Sequence, residues 1–422
     1  MKRRLLSTIL MTLSLGFAFA ATGCSERDDR PFSMQECVKT LEHPEPPAFH
    51  ADWTPEERAA LLHLYKTVIE ESPAVFAEIA DKTNKACISS GFVNAPFTRA
   101  DFEAFAKEYA FMQKAVAAII SGGAQTLHSE WEWKEGDETA IIRPLWLSVY
   151  YGAFDAMEMM LRRGADPKMC WIRTDSSGER KTEPLLATML AFGARTGGHA
   201  SLSMEERLAV ATRLLEAGAD FSNPEADWAT YLRVGCIIAD EKDRDTLLGW
   251  ALDHGMSPEH VVYSVTGLDG TLAIFRRLVQ DGLIDLRHES LRLQDITGGY
   301  AEDVEKVRIL LEAGVPVDGF PPVRREGEDD EDWQERQEYW ETPVQCVQRG
   351  LRFTGPEELK DEYGRVRWER GLQLLELYVS YGAEADEFAE DLPEDPELAA
   401  QVTAAISRGR ASRPADAQET DK

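Results

Sequence analysis

Cysteine is sparse in this chain, and none of it is spaced for a metal. Cys24, Cys37, Cys87, Cys170, Cys236 and Cys346 include no CxxC pair and no Cys/His spacing that suits zinc. The eight histidines form no HExxH, and His254 and His260, which straddle Gly255, read as exposed or helix-capping groups. A GxSxG elbow, a P-loop and a paired-glycine dinucleotide turn are all missing. Carboxylates are so numerous that no pair stands out as a general acid and base. No catalytic residue, metal or cofactor is therefore expected, and the chain reads as non-enzymatic. Positive charge is also scarce, with 46 Lys and Arg against 75 Asp and Glu and a formal net charge of −29. Nucleic acid and anionic lipid surfaces should repel such a chain, whereas a basic protein partner would be drawn to it. After the first 23 residues no apolar run is long enough to cross a bilayer.

What stands at the start is an export signal. Lys2, Arg3 and Arg4 precede an apolar stretch from Leu5 to Ala20. Ala18-Phe19-Ala20 would suit release into the periplasm after Ala20. Ala21-Thr22-Gly23-Cys24 resembles a bacterial lipobox, although Ala21 stands where Leu is usual. That resemblance implies lipidation of Cys24, with Ser25 favouring an outer-membrane lipoprotein facing the periplasm. Membrane attachment is expected only through this anchor. Losing residues 1–23 removes three positive charges and takes the net charge from −29 to −32.

Residues 24–49 read as a tether, irregular and Pro-rich from residue 31. Residues 50–128 read as an N-terminal helical cap. Thr54-Pro55-Glu56-Glu57 is a helix start, and another begins at Thr98-Arg99-Ala100-Asp101 and runs to Gly122-Gly123. Cys37 with Cys87 would tie the preceding segment to these helices, since an exported chain can hold disulfides.

Farther on, one phrase recurs: an apolar helix end followed by Gly, which can take the left-handed conformation that closes a helix. It appears at Met160–Pro167, Leu214–Asp220, Leu310–Pro316 and Tyr378–Asp386, with further closing glycines at Gly255 and Gly282. From Gly164 to Gly382 the intervals are 54, 37, 27, 32 and 68 residues. The longer ones require insertions. One is the acidic run 324–340, which reads as a solvated excursion or a long hairpin tip. Residues 391–408 read as a C-terminal capping helix, and 409–422 as a disordered tail.

The run from Arg143 to Pro167 resembles an ankyrin repeat. Pro144-Leu145 opens its first helix, Gly152 ends it, Met157 to Leu161 form the second, and Gly164-Ala165-Asp166-Pro167 turns outward. Asp175-Ser176-Ser177-Gly178 is similar to that family's hairpin tip, and Glu183-Pro184-Leu185-Leu186 and Thr342-Pro343-Val344-Gln345 look like openings of further units. The resemblance implies an all-α, ankyrin-type helical repeat solenoid with short β-hairpin fingers and an N-terminal helical cap, the repeats covering 129–390. The family's inter-repeat histidine is replaced by Trp146, Leu186 and Gln345, so those contacts should be apolar or absent.

Stacked repeats usually present a binding surface rather than a reaction centre. Trp131 and Trp133 alternate at strand period, which sets both indoles on one face of a hairpin. With Trp171, Asp175, Trp333 and Trp340 they are the candidate partner-binding residues. The opposing expectation is that these aromatics pack beneath their own hairpins. The sequence thus points to an envelope-located, monomeric protein that binds another protein, as a scaffold or by neutralising a periplasmic partner. A rival expectation is an enzyme with an unrecognised site in the N-terminal segment or the insertions, and another is a passive spacer.

Overall fold

The computed structural model describes residues 34–74, 76–78, 80, 98–135, 138–174, 177–191, 202–324, 327–385 and 392–413. Residues 1–33, where the export signal and Cys24 are expected to act, lie outside them, as do Cys87, Asp175 and the tail from residue 414. The fold is mostly helical with one small antiparallel sheet of four strands. Two compact units divide the chain, Met1–Ala239 and Asp240–Lys422.

Among the described residues of the N-terminal unit, the helices include α1 (Met34–Val38), α2 (Pro55–Lys66), α3 (Arg99–Gly122), α4 (Pro144–Tyr150), α5 (Phe154–Arg162), α6 (Leu185–Leu190), α7 (Met204–Glu216) and α8 (Trp228–Ile238). The segment read as a tether is not all irregular: α1 occupies part of it and buries Met34 against α3. Thr54 and Glu57 cap α2 reciprocally, as Thr98 and Asp101 cap α3 and Ser203 and Glu206 cap α7. Each box satisfies two backbone donors that a helix start leaves open. The pairs α4–α5 and α6–α7 pack as hairpins, and α4 also lies against α6. Leu147, Met157, Met160, Leu185, Met189 and Leu214 are all buried there, at about 1.5–3 kcal/mol of hydrophobic stabilisation per large side chain. Trp146 and Leu186 are buried at the family's histidine position.

The C-terminal unit holds α9 (Glu241–Asp253), α10 (Pro258–Val265), α11 (Leu272–Gln280), α12 (Asp303–Glu312), α13 (Asp330–Glu338), α14 (Pro343–Arg352), α15 (Glu362–Ser380) and α16 (Pro396–Ala411). Thr342 and Gln345 box the start of α14, so Gln345 caps its own helix and stays exposed. The acidic run, expected as a solvated excursion or a long hairpin tip, contains a helix. Asp329 caps α13, Asp330, Glu331 and Asp332 fill its first turn and Arg336 its last, an order that suits the helix dipole. No residue of α13 is buried. The expected C-terminal cap is α16, three residues longer than its expected end at 408.

The six closures marked in the sequence are alike, and α4 closes the same way at Gly152. Gly164, Gly218, Gly255, Gly282, Gly314 and Gly382 have φ between 66° and 111°. At each, the glycine N–H and the next residue's N–H donate back to the last helical turn. Gly164 reaches Leu161 O at 2.9 Å and Ala165 reaches Met160 O at 3.0 Å, and Gly314 and Val315 do the same at 3.1 and 3.0 Å. A Cβ on Gly314 would meet nothing within 4 Å. The backbone angle, and not crowding, therefore demands glycine there.

Candidate functional site

Both hairpins of the N-terminal unit join one sheet. β1 (Trp131–Glu135) pairs with β2 (Glu138–Ile142), β2 with β3 (Cys170–Thr174), and β3 with β4 (Arg180–Pro184), all antiparallel. The expected fingers are thus fused. Arg143, which follows β2 and precedes α4, holds the junction: its guanidinium donates to the Glu130 carboxylate and to the Cys170 carbonyl.

Register decides which side chains share a face, because residues directly opposite in an antiparallel pair point the same way. One cross-strand row reads Trp133, Ala140, Arg173, Lys181, and two residues along the same strands Trp131 opposes Ile142 and Trp171 opposes Glu183. Trp131, Trp133 and Trp171 therefore lie on one face of one sheet. Ile142, Ala140 and Glu183 are buried beneath that face, while the three tryptophans and Arg173 are half-buried and Lys181 is exposed. Trp171 stacks on Trp146, ring centroids 5.8 Å apart, and Trp146 stacks on Tyr150 at 4.6 Å. The Trp171 indole thus packs on α4 with one side, and all three indoles stay partly in solvent.

Beyond β4 the sheet borders a groove of about 330 Å³, lined by Trp171, Arg173, β4 residues and one side of α8. Thr182 Oγ1 donates to Glu225 at 2.8 Å across it, and Glu183 accepts from Thr188 Oγ1 at 2.9 Å. Below the sheet, Lys168 pairs with Asp220 at 2.5 Å and so links two of the recurring helix-ending phrases. The Lys168 hydrogen bond, with help from Ser222, holds the Asp220 carboxyl down at about 2.

Glu57 makes the corresponding link between cap and first helix pair. Its carboxylate takes two hydrogen bonds from Arg163 beyond α5, at 2.6 and 2.7 Å, and caps Thr54 as well. Arg163 is the main cause that lowers the Glu57 carboxyl to about 2 from 4.5. A carboxyl depressed on folding stabilises above its unfolded pKa and loses that contribution as pH falls through the folded one. Wild type should lose stability from pH 4.5 toward 2. Glu57→Gln should start less stable at pH 7 and lose less over that interval, as read from urea midpoints against pH.

The remaining sequence candidates lie in the C-terminal unit. Trp333, on α13, is half-buried with the Arg336 guanidinium 5.3 Å from its ring centroid. Trp340 is half-buried and lines a groove of about 630 Å³ together with Phe320, Val323, Tyr339 and Arg349. Val323, Tyr339 and Phe353 are the most exposed large apolar side chains described, at 71–73%, and periodicity gives no hint of them because they sit outside regular helix faces. Arg173, Lys181 and the α8 wall were likewise missed, since nothing local announces that β2 pairs with β3. Cys37 is half-buried on α1 and joins no disulfide among the described residues.

Among the described residues no group of His, Cys, Asp and Glu is arranged to hold a metal, and no helix is long and apolar enough to cross a membrane. Comparison with protein-family models, with curated proteins and with solved structures returns no match for this chain.

Proposed function

We propose that this chain is a non-catalytic binding protein of the bacterial envelope, an ankyrin-type solenoid of degenerate repeats that recognises another protein. One observation carries the reading: two hairpins, over 131–142 and 170–184, place Trp131, Trp133 and Trp171 on a single sheet face, each still partly in solvent. Aromatic anchors of this kind supply most of the energy at protein interfaces. The repeat reading is supported by the recurring glycine helix closures and by α4 lying beside α6, as neighbouring first helices of stacked pairs would. The acidic balance of the chain favours a basic partner, approached by long-range attraction. Scaffolding and neutralisation of a periplasmic protein both fit.

Crosslinking from envelope fractions tests the reading. The Trp131→Ala/Trp133→Ala double variant should melt near the wild type, because neither indole is fully buried, and should lose about 90% of a specific crosslinked partner. An unchanged crosslinking profile would leave the protein a spacer. Attachment is proposed to run through lipid on Cys24. Cys24→Ser should move the protein from the membrane to the soluble fraction, and unchanged fractionation rules out that anchor.

A further inference from the structure

The groove of about 630 Å³ in the C-terminal unit is walled by three segments: residues 286–295 after α11, residues 315–323 after α12, and the stretch from Arg336 on α13 to Arg349 on α14. That volume falls in the range of small-molecule sites. Its shape is built in. Gly319 has a φ of 74°, and a Cβ there would lie 2.7 Å from Gln294 Nε2, so glycine lets the strip that carries Phe320 close on the 293–295 turn. Gln294 Nε2 in turn donates to Glu341 O at 3.4 Å. Arg336, gripped by Glu328 at 2.6 Å, donates to Val323 O at 2.9 Å. Each wall is thus tied to another, and a ligand would not have to order them. Phe320, Tyr339 and Trp340 line the groove beside Pro321 and Pro322, and Tyr339 is 73% exposed. A flat apolar molecule stacked there would cover surface that water now meets.

Charge narrows the ligand further. Four arginines line the groove, Arg287, Arg292, Arg336 and Arg349, against two carboxylates, Asp295 and Glu341, in a chain whose overall balance is acidic. Arg336 is matched by Glu328, and Arg349 by Glu341 at 2.8 Å. Arg292 and Asp295 share one turn, where the arginine opposes the upward push of burial on the Asp295 carboxyl. His288 is engaged by the Ser290 N–H. Arg287 is left over. It is exposed, it forms no ion pair among the described residues, and its guanidinium lies 5.1 Å from the Phe320 ring centroid. Stacking occupies the flat face of a guanidinium and leaves its in-plane N–H donors for a carboxylate. One uncompensated positive charge beside an aromatic wall suits a flat molecule with one negative charge. We propose that the groove binds a small aromatic carboxylate, its carboxylate held by Arg287 and its ring lying against Tyr339 and Trp340. Such a ligand site is separate from protein recognition by the sheet face and stands or falls without it.

Equilibrium dialysis of the full chain against 2-naphthoate and its neutral counterpart, 2-naphthamide, provides the test. The acid should bind at least about tenfold more tightly than the amide. Arg287→Gln should bring the two within about threefold of each other, and Tyr339→Ala should weaken both by about fivefold. Both positions are exposed, so each variant should melt with the wild type. The Trp131→Ala/Trp133→Ala variant should bind 2-naphthoate as the wild type does, which keeps this site distinct from the sheet face. Equal binding of acid and amide by the wild type, a naphthoate affinity unaltered by either Arg287→Gln or Tyr339→Ala, or no saturable binding would overturn the proposal.

Discussion

Replacing Lys306 with alanine is expected to destabilise the C-terminal unit by about 3–5 kcal/mol. The side chain lies on α12 and is wholly buried. Its ammonium donates to Leu268 O at 2.7 Å and Thr271 Oγ1 at 3.0 Å, and lies 3.5 Å from the Glu302 carboxylate. Burial pushes its pKa down, and Glu302 and Asp303 work against that. Truncation would open a cavity and remove the cation facing two carboxylates. One of them, Asp303, is 2% exposed and has a carboxylate oxygen without a hydrogen-bond partner among the described residues. Lys306→Met should cost less, about 1–2 kcal/mol. It retains the volume, and two of the three acceptors keep another donor: Leu268 O takes Thr271 Oγ1 at 2.9 Å, and Glu302 takes Thr271 N at 3.1 Å. Urea unfolding of both variants decides the matter. Equal losses would mean that the charge, and not the packing, holds the 268–271 turn to α12.

Trp53→Ala should cost the N-terminal unit a similar amount, about 3–5 kcal/mol. Trp53 is 1% exposed, donates its indole N–H to Ile120 O at 3.0 Å, and has the Arg163 guanidinium 5.9 Å from its ring centroid. It thus joins the turn before α2, the last turn of α3 and the end of α5. Trp53→Phe keeps most of the apolar area and loses the hydrogen bond, so about 1–2 kcal/mol is expected. A Trp53→Ala protein with an unshifted urea midpoint would show that cap and first helix pair are not joined there.

Local demands were legible in the sequence and distant pairings were not. A helix closed by a left-handed residue writes glycine at that one position, and all six closing glycines could be located for that reason. The Thr54/Glu57 and Thr342/Gln345 boxes were equally plain, because each is settled within four residues. The joining of β2 to β3, and the reach of Arg143 to the Cys170 carbonyl 27 residues away, are recorded by no local pattern. The acidic run hid a helix because charge marks solvent exposure for helix and loop alike, and the signal that separates them is the capping order from Asp329 to Arg336. Lys306 misleads for a related reason. Glu302 and Lys306 have the i, i+4 spacing of an ordinary surface pair, yet the lysine is buried where α12 meets the turn before α11. Of the candidate site, the shared strand period of Trp131 and Trp133 was visible, whereas their alignment with Trp171 depended on register across the second hairpin.

Nearest-neighbour stacking of helix pairs is the claim on which the recognition surface depends, and amide exchange of the Trp53→Ala variant tests it most directly. In a stacked array each pair is supported by its neighbours, so a lesion at one end weakens what lies beside it and fades with distance. Protection should fall across α1 to α5 and remain at wild-type levels in α14, α15 and α16. A uniform loss of protection from α1 through α16 would show a single cooperative globule and contradict the repeat architecture.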